Sequence, residues 1–329
     1  MANATNPSNQ AVFAMLPPID DDMRSWAERL RQDVPGLDVV VAEDEAAATT
    51  AVARAEAAYG WVSPEQLPSA RNLRWLQNPF AGPFPGYYYQ GLIDHPVTIT
   101  NPRGIYSDHI AHHILMFLLA LSRGLPYWTQ AQARGQWDRS VRKHGYVNVV
   151  GSVVLINGVG GIGSEAARLC AALGGNVVGV DPRPEHDSPA EIHPPADLDR
   201  LLPDADFVIT TVPHTPETEF MWNAERFRLM KRSAYFINIG RGMTAKLDDL
   251  TAALAQGEIA GAGLDVFEIE PLPADHPLWR QDNVLITPHV AVADAVDIAE
   301  RRYELLADNA RRFLAGEPLR NVVDKARWY

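Results

Sequence analysis

Short apolar runs alternate with helix-forming segments along most of the chain. Runs rich in β-branched residues and bounded by Gly, Pro, Asn or Asp predict buried strands. Segments with apolar residues three or four positions apart predict amphipathic helices between those strands. Because the two kinds of segment alternate, the pattern predicts an α/β fold, in which helices cover parallel sheets.

The strongest local signal begins at the apolar run of residues 153–156. The glycines that follow, Gly158, Gly160 and Gly163, fit the pattern G-x-G-x-x-G and lead into a helix-forming segment. In a dinucleotide-binding turn, these three glycines allow a tight turn, the approach of a pyrophosphate and close helix packing. The next predicted strand ends at Asp181, where a carboxylate can accept hydrogen bonds from an adenosine ribose. The stretch therefore predicts a site for NAD.

The distribution of strands predicts two domains. We expect a Rossmann-type doubly wound parallel sheet of six strands over residues 103–292, with the glycine turn after its first strand. Residues 1–102 contain strand and helix signals of their own. We expect them to form, together with residues 293–329, a smaller flavodoxin-like α/β domain that binds the substrate. The dinucleotide-binding domain is then an insertion in this substrate domain.

Composition limits the classes of partner. A net charge of −12 argues against nucleic acid or an anionic membrane as the main partner. The longest apolar run, residues 114–121, is far shorter than the ~20 residues of a membrane span. Cys170 is the only cysteine, and the first ten residues do not have the pattern of a secretory signal. We therefore expect a cytoplasmic protein that acts on a small molecule.

Three residues with catalytic chemistry follow predicted strands of the larger domain. They are Arg241 between two glycines, Glu270 before a proline and His289 after a proline. Ligands of open parallel sheets bind at the carboxyl ends of the strands, so these side chains are expected at one edge. A histidine can exchange a proton with a substrate oxygen, a carboxylate can orient that histidine, and a guanidinium can bind an acid through two hydrogen bonds. The set is typical of a hydride-transfer site.

Five blocks of sequence around these residues resemble the D-isomer-specific 2-hydroxyacid dehydrogenase family. The blocks are residues 158–163, 213–218, 238–242, 265–273 and 287–291. The resemblance implies an NAD-dependent enzyme that transfers a hydride between NAD(H) and a 2-oxo acid or D-2-hydroxy acid. It also implies that His289 is the general acid and base, that Glu270 is its partner, and that Arg241 binds the carboxylate and oxo group of the substrate.

The same resemblance implies further cofactor and substrate contacts. The expected cofactor-binding residues are Gly158, Gly160, Gly161, Ile162, Gly163, Asp181, Val212, Pro213, Thr218, Ile239, Arg241, Asp265 and His289. The expected substrate-binding residues are Ala81, Gly82, Arg241 and His289. Among them, Asp265 is expected at the nicotinamide carboxamide. The Asp181 carboxylate favours NAD over NADP, because it would repel a 2′-phosphate, although Arg183 lies two positions further on.

Two features of the sequence leave alternatives open. The aromatic, proline-rich loop of residues 80–89 either lines a substrate pocket or packs onto its own domain, and packing is favoured. His109 and His113 lie one helical turn apart, but no third ligand has a matching spacing, so no metal site is predicted. The role of His112 is also open.

Two expectations concern partners and the class of protein. The apolar helix of residues 109–121 has a wide apolar stripe, which together with the resemblance predicts a homodimer. The alternative to an enzyme is a dinucleotide-sensing co-repressor or binding protein on the same fold. The long basic or disordered tails expected of such a regulator are absent from the sequence.

Overall fold

The chain forms two compact units in a computed structural model that describes residues 10–82, 84, 86–137, 139, 147–183, 188–293 and 295–328. The terminal unit combines the chain up to Ile105 with the chain from Val296 onward, and the central unit comprises Tyr106–Ala295. Each division lies three residues further along the chain than the domain boundary expected from the sequence.

Both units are built from alternating strands and helices. In the described ranges the strands are β1 (Ala11–Met15), β2 (Leu37–Val41), β3 (Ala57–Tyr59), β4 (Trp75–Gln77), β5 (Thr98–Thr100), β6 (Val153–Asn157), β7 (Asn176–Val180), β8 (Glu191–His193), β9 (Phe207–Thr210), β10 (Tyr235–Asn238), β11 (Gly261–Leu264) and β12 (Val284–Ile286). The α-helices are α1 (Asp21–Asp33), α2 (Glu45–Arg54), α3 (Gln90–Asp94), α4 (Ser107–Ser122), α5 (Leu125–Ala133), α6 (Gly161–Ala172), α7 (Leu198–Leu201), α8 (Ala224–Leu229), α9 (Leu247–Ala255) and α10 (Ile298–Ala315). Helices and strands thus follow each other as the hydrophobic pattern predicts.

Each unit has one parallel sheet. In the terminal unit the strand order is β2-β1-β3-β4-β5, which is the flavodoxin-like order. In the central unit the order is β12-β11-β10-β9-β6-β7-β8. There, β6 pairs with β7 on one side and with β9 on the other, so the order reverses at the strand that precedes the glycine turn. The fold class predicted from the sequence is confirmed.

The central strands of each sheet are buried on both faces. In β6, Val154 and Ile156 contribute to one hydrophobic core, whereas Leu155 between them contributes to the core on the opposite face. In β1, Phe13 and Ala14 likewise belong to two different cores. Side chains alternate between the faces of a strand, and helices cover both faces of these sheets. The strands therefore appear in the sequence as continuous apolar runs.

The prediction of six strands in the larger sheet is wrong, because β8 makes seven. This strand is a Glu-Ile-His segment at the sheet edge, where, among the described strands, it pairs only with β7. Since its residues are exposed or half-buried, it needs no apolar run. No helix in the described ranges is both long and apolar enough to cross a membrane.

Candidate active site

The glycine turn between β6 and α6 meets three different constraints. Gly158 has a φ of +95°, in the left-handed region that glycine adopts without strain. A Cβ on Gly163 would lie 1.9 Å from the carbonyl oxygen of Gly158, so α6 approaches β6 only because position 163 lacks a side chain. At Gly160 a Cβ would meet nothing closer than the Arg183 side chain at 4.0 Å. The first and third glycines therefore serve the turn and its packing, whereas the second has open space beside it at the positive end of a helix, where a pyrophosphate is predicted.

Asp181, directly after β7, is buried and hydrogen-bonded to the glycine turn. Its Oδ2 accepts a hydrogen bond from the amide of Val159 at 2.9 Å, and its Oδ1 accepts one from the amide of Arg183 at 2.9 Å. The Arg183 guanidinium approaches the same oxygen through Nε at 3.4 Å, with its side chain 58% exposed. The carboxylate thus holds the glycine turn in place, a task that the sequence pattern does not reveal.

The loop after β9 contacts the glycine turn through a residue that sequence reasoning missed. Thr211, the first residue after the strand, donates its hydroxyl hydrogen to the carbonyl oxygen of Gly158 at 2.5 Å. Further along the loop, Thr218 donates through Oγ1 to the carbonyl oxygen of Pro213 at 2.6 Å and accepts from the amide of Thr215 at 2.8 Å. The predicted residues Pro213 and Thr218 therefore stabilise the shape of their own loop.

Arg241 lies in a loop after β10 that is pressed between two neighbouring loops. A Cβ on Gly240 would lie 2.6 Å from the carbonyl oxygen of Val212. A Cβ on Gly242 would lie 1.8 Å from the carbonyl oxygen of Phe267. Only glycine fits on either side of the arginine, so the Gly-Arg-Gly sequence reflects close packing of three loops.

Hydrogen bonds fix the backbone of Arg241. Its carbonyl oxygen accepts from the hydroxyl of Thr244 at 2.7 Å and from the side-chain amide of Asn238 at 3.3 Å. The guanidinium donates through Nη1 to the carbonyl oxygen of Gly240 at 2.7 Å. Burial lowers the pKa of Arg241 below its ordinary value, whereas the nearby Glu270 carboxylate acts in the opposite direction. A guanidinium still keeps its charge at neutral pH, so the site contains a fixed cation.

Glu270 and His289 form a hydrogen-bonded pair. Oε2 of Glu270 lies 2.8 Å from Nδ1 of His289, while its Oε1 accepts a hydrogen bond from the amide of Phe267 at 2.9 Å. The two side chains are 37% and 49% exposed. Because Nδ1 faces the carboxylate, Nε2 is the ring nitrogen that can exchange a proton with a substrate oxygen. The structure thus brings Arg241, Glu270 and His289 together at one sheet edge.

The turn that carries His289 is anchored by Asp265. His289 has a φ of +56°, a conformation that costs a residue other than glycine about 1–3 kcal/mol. Its amide donates to the carbonyl oxygen of Asp265 at 2.8 Å, and the amides of Val290 and Ala291 donate to the Asp265 carboxylate at 2.9 and 3.2 Å. These bonds offset the cost of the backbone conformation. Asp265, predicted as a cofactor contact, therefore also positions His289, the predicted general acid and base.

Other predicted cofactor residues lie at the same edge of the central sheet. Gly161 and Ile162 begin α6, whereas Val212 and Ile239 are buried in the loops after β9 and β10. No predicted cofactor residue lies in the terminal unit. Whether each of them touches the cofactor stays a prediction.

The predicted substrate residues Ala81 and Gly82 lie in the terminal unit, in the loop after β4. The carbonyl oxygen of Ala81 accepts a hydrogen bond from the side-chain amide of Asn101 at 3.2 Å. Closer to the strand, Asn78 accepts a hydrogen bond from the amide of Phe80 at 2.9 Å. Two asparagine side chains therefore hold this loop, and substrate binding by Ala81 and Gly82 stays a prediction.

The tyrosines of the aromatic loop pack onto the terminal unit. Tyr87 and Tyr88 are buried, and the hydroxyl of Tyr87 donates to the carbonyl oxygen of Gly60 at 2.8 Å. The hydroxyl of Tyr89 donates to the carbonyl oxygen of Val62 at 2.9 Å. Residues 83 and 85 of this loop lie outside the described residues. The geometry of the three tyrosines favours packing over a substrate pocket.

The central part of the chain matches a known family by sequence. The family model described as D-isomer specific 2-hydroxyacid dehydrogenase, NAD binding domain, matches residues 115–291. The glyoxylate reductase of Thermofilum pendens is 35% identical over 233 residues, which cover 70% of this chain and 68% of that reductase. The glyoxylate/hydroxypyruvate reductase B of Escherichia fergusonii is 37% identical over 227 residues, which cover 67% of this chain and 68% of that reductase.

The likeness extends to the fold of nearly the whole chain. The crystal structure of a D-isomer specific 2-hydroxyacid dehydrogenase from Xanthobacter autotrophicus, in complex with NADPH and MES, matches with a TM-score of 0.82 and 31% sequence identity. The match covers 97% of this chain and 100% of that chain. The chain therefore belongs to the D-isomer specific 2-hydroxyacid dehydrogenase family and is a nicotinamide-dependent oxidoreductase of 2-oxo and 2-hydroxy acids.

Proposed function

We propose that His289 is the general acid and base in the reduction of a 2-oxo acid to a D-2-hydroxy acid and in the reverse oxidation. The observation that carries the proposal is the pairing of His289 Nδ1 with Glu270 at 2.8 Å. In reduction, Nε2 donates a proton to the substrate's carbonyl oxygen, and in oxidation it accepts the proton of the hydroxyl. A bound nicotinamide supplies the hydride in the first direction and accepts it in the second.

Glu270 and Arg241 complete the proposed set. The carboxylate of Glu270 keeps the imidazole in one orientation through its hydrogen bond with Nδ1. Arg241 offers a planar guanidinium, which can bind the substrate's carboxylate and oxo group through two parallel hydrogen bonds. Gly240 and Gly242 allow neighbouring backbone to pack closely on both sides of Arg241, which restricts the movement of its backbone when the acid binds.

NAD is the proposed cofactor, although the relative from Xanthobacter autotrophicus was crystallised with NADPH. The glycine turn would hold the pyrophosphate, and Asp181 would meet the adenosine ribose. The buried Asp181 carboxylate supports NAD, because it would repel a 2′-phosphate. The opposing feature is the exposed Arg183 guanidinium beside it, which can neutralise part of that charge. The test compares kcat/KM for NADH and NADPH, and a preference for NADPH would overturn the choice.

A steady-state assay tests the proposed reaction. The wild-type protein and NADH are mixed with a panel of 2-oxo acids of increasing size, from glyoxylate and hydroxypyruvate to phenylpyruvate, and the loss of NADH absorbance is followed. We expect turnover of at least one acid by the wild type, and a rate at least about 100-fold lower with His289→Gln. Tight NADH binding without turnover of any acid would contradict the proposal. The co-repressor alternative has no support from the relatives, which are named as reductases or dehydrogenases.

The two units have different proposed roles. The central unit binds the dinucleotide, and the terminal unit binds the substrate.

A homodimer is supported by exposed apolar side chains on α4 and α5, since Met116, Leu119 and Leu125 are each more than 40% exposed. Sedimentation of the wild type as a dimer, and of Leu119→Glu as a monomer, is the expected result. A cytoplasmic location fits the single buried thiol of Cys170.

A further inference from the structure

His113 is built into the central unit. Its side chain is 14% exposed, and its ring packs edge-on against Phe117 with the centroids 4.8 Å apart. Phe117 in turn lies against Gly263 in β11, where a Cβ would be 2.6 Å from the phenyl ring. Because position 263 has no side chain, α4 can approach the strand that ends before Asp265. The packing therefore brings His113 to the same edge as the active site.

At that edge, His113 faces a hydroxyl and a carboxylate. Its Nε2 lies 2.9 Å from Oγ1 of Thr287 and 3.8 Å from Oδ1 of Asp265. The Thr287 hydroxyl itself lies 2.6 Å from the same carboxylate oxygen. A carboxylate only accepts, so the single hydrogen of the hydroxyl goes to Asp265. Thr287 must therefore accept its second hydrogen bond from His113, which requires a hydrogen on Nε2.

The environment of His113 favours a neutral imidazole, which can carry the hydrogen on Nε2 that donation to Thr287 requires. Burial lowers the pKa of His113 below its ordinary value, and the nearby Asp265 carboxylate acts in the opposite direction. The ring is then neutral at pH 7. With its hydrogen on Nε2, a neutral ring can donate to Thr287 while Nδ1 carries none.

We propose that His113 is a positioning residue for His289, acting through Thr287 and Asp265. The Asp265 carboxylate holds two amides of the turn that carries His289, and its carbonyl oxygen holds the His289 amide. The Thr287 hydroxyl fixes one oxygen of this carboxylate, and His113 fixes the hydroxyl. Without this series of hydrogen bonds the Asp265 side chain can rotate, and the left-handed backbone at His289 loses part of its support. The inference rests on the proposed role of His289.

Three variants of α4 separate this role from simple packing. His113→Phe keeps an aromatic ring against Phe117 and removes the donor. We expect kcat to fall about tenfold, the size of effect found when supporting hydrogen bonds of a reactive group are removed. His113→Gln carries an amide N–H at a similar reach and should recover kcat to within about threefold of wild type. His112→Gln, on the exposed neighbouring residue, is the matched control and should equal wild type.

The proposed chain of hydrogen bonds also predicts that the effects of substitutions at His113 and Thr287 on kcat are not additive. Thr287→Val removes the hydroxyl and keeps the shape. If His113 acts through Thr287, the double variant with His113→Phe should be no slower than Thr287→Val alone. Losses that multiply in the double variant would overturn the proposal, as would wild-type kcat in His113→Phe. Failure of His113→Gln to recover kcat at a wild-type melting temperature would also overturn it.

A measurement without turnover keeps the inference distinct from the proposed function. Histidine nitrogen NMR of the whole protein at neutral pH, with the His113 signal identified by its loss in His113→Gln, reports the tautomer directly. We expect the neutral ring with hydrogen on Nε2. A neutral ring with its hydrogen on Nδ1 could not donate to Thr287 and would overturn the inference even if the enzyme is active. Conversely, the expected tautomer in a protein that turns over no acid would support the hydrogen-bond chain and count only against the proposed function.

Discussion

The loops that follow parallel strands are held differently in the two units. In the central unit, Gly240 and Gly242 pack backbone against backbone, and the Asp265 carboxylate accepts hydrogen bonds from three residues of one segment. In the terminal unit, the loop after β4 is held by the side chains of Asn78 and Asn101. The loops that carry the charged residues of the candidate site are thus held by close backbone packing and by hydrogen bonds to a carboxylate. The predicted substrate loop is instead held by hydrogen bonds with buried side chains.

The largest effect is expected for His289, whose ring is hydrogen-bonded to Glu270. In His289→Gln the proposed general acid is lost, so kcat/KM for the preferred 2-oxo acid should fall by about 10²–10⁴. In Glu270→Gln the imidazole remains and only its charged partner is lost, so a smaller fall, about 10–100-fold, is expected. Steady-state kinetics under identical conditions checks both. An equal loss in the two variants, or a His289→Gln enzyme with more than a tenth of wild-type activity, would contradict these roles.

Two glycines of one turn should respond differently to the same added methyl group. Gly163→Ala places a Cβ against a backbone oxygen, so the free energy of unfolding should fall by about 1–3 kcal/mol. Gly160→Ala meets no close atom, so the melting temperature should stay near wild type. Because its methyl group enters the proposed pyrophosphate space, the Kd for NADH should rise about tenfold. The reverse pattern, in which position 160 affects folding and position 163 does not, would refute the division of tasks.

A smaller effect is expected in the terminal unit. Asn101→Ala removes the hydrogen bond to the Ala81 carbonyl oxygen, so the loop should become less ordered. The KM for the 2-oxo acid should rise about three- to tenfold, with kcat changed less. Tyr89→Phe is the control, because it removes a hydrogen bond at the far end of the same loop. Equal KM values for Asn101→Ala and Tyr89→Phe would show that the Ala81 end of the loop has no special role.

The smallest effect is expected at Cys170, in the core of the central unit. Burial raises the pKa of its thiol to about 12, so at pH 8 only about one thiol in 10⁴ is the reactive thiolate. Iodoacetamide should therefore leave the activity of the folded enzyme unchanged, while labelling is rapid in denaturant. As the pH approaches 12, labelling should accelerate, provided that the fold persists. Complete labelling within minutes at pH 8 would show that α6 opens readily, against the view of a firmly packed central unit.

The fold could be predicted from the sequence wherever burial dictates the residue type. Strands covered on both faces, such as β6, require a continuous apolar run, and Gly158 to Gly163 mark the turn that follows. The edge strand β8 was missed, because a Glu-Ile-His segment that pairs on one side carries no such signal. Prediction therefore worked best at the centre of the sheet and failed at its edge.

The candidate site could be predicted only in part. Arg241, Glu270 and His289 were found because the carboxyl ends of parallel strands meet at one edge. The contact of His113 with Thr287 joins residues that are 174 positions apart, and no local pattern records it. Likewise, the Asp265 carboxylate accepts hydrogen bonds from backbone amides of the turn that carries His289, and these depend on the direction of the backbone rather than on residue type. The sequence therefore pointed to Arg241, Glu270 and His289, but not to the hydrogen bonds that hold the turn of His289 in place.

The terminal unit is built from two segments that are separated in the sequence, which has a consequence for its folding during synthesis on the ribosome. Val323 lies in one of its cores, and Leu306 of α10 lies in the other, so both cores need residues that follow the central unit. The central unit, residues 106–295, has 190 residues. At roughly 5–20 residues per second, β1 to β5 wait about 10–40 s for their missing partners. During that interval the nascent chain presents unfinished apolar surface to chaperones, while the central unit can fold as soon as it emerges.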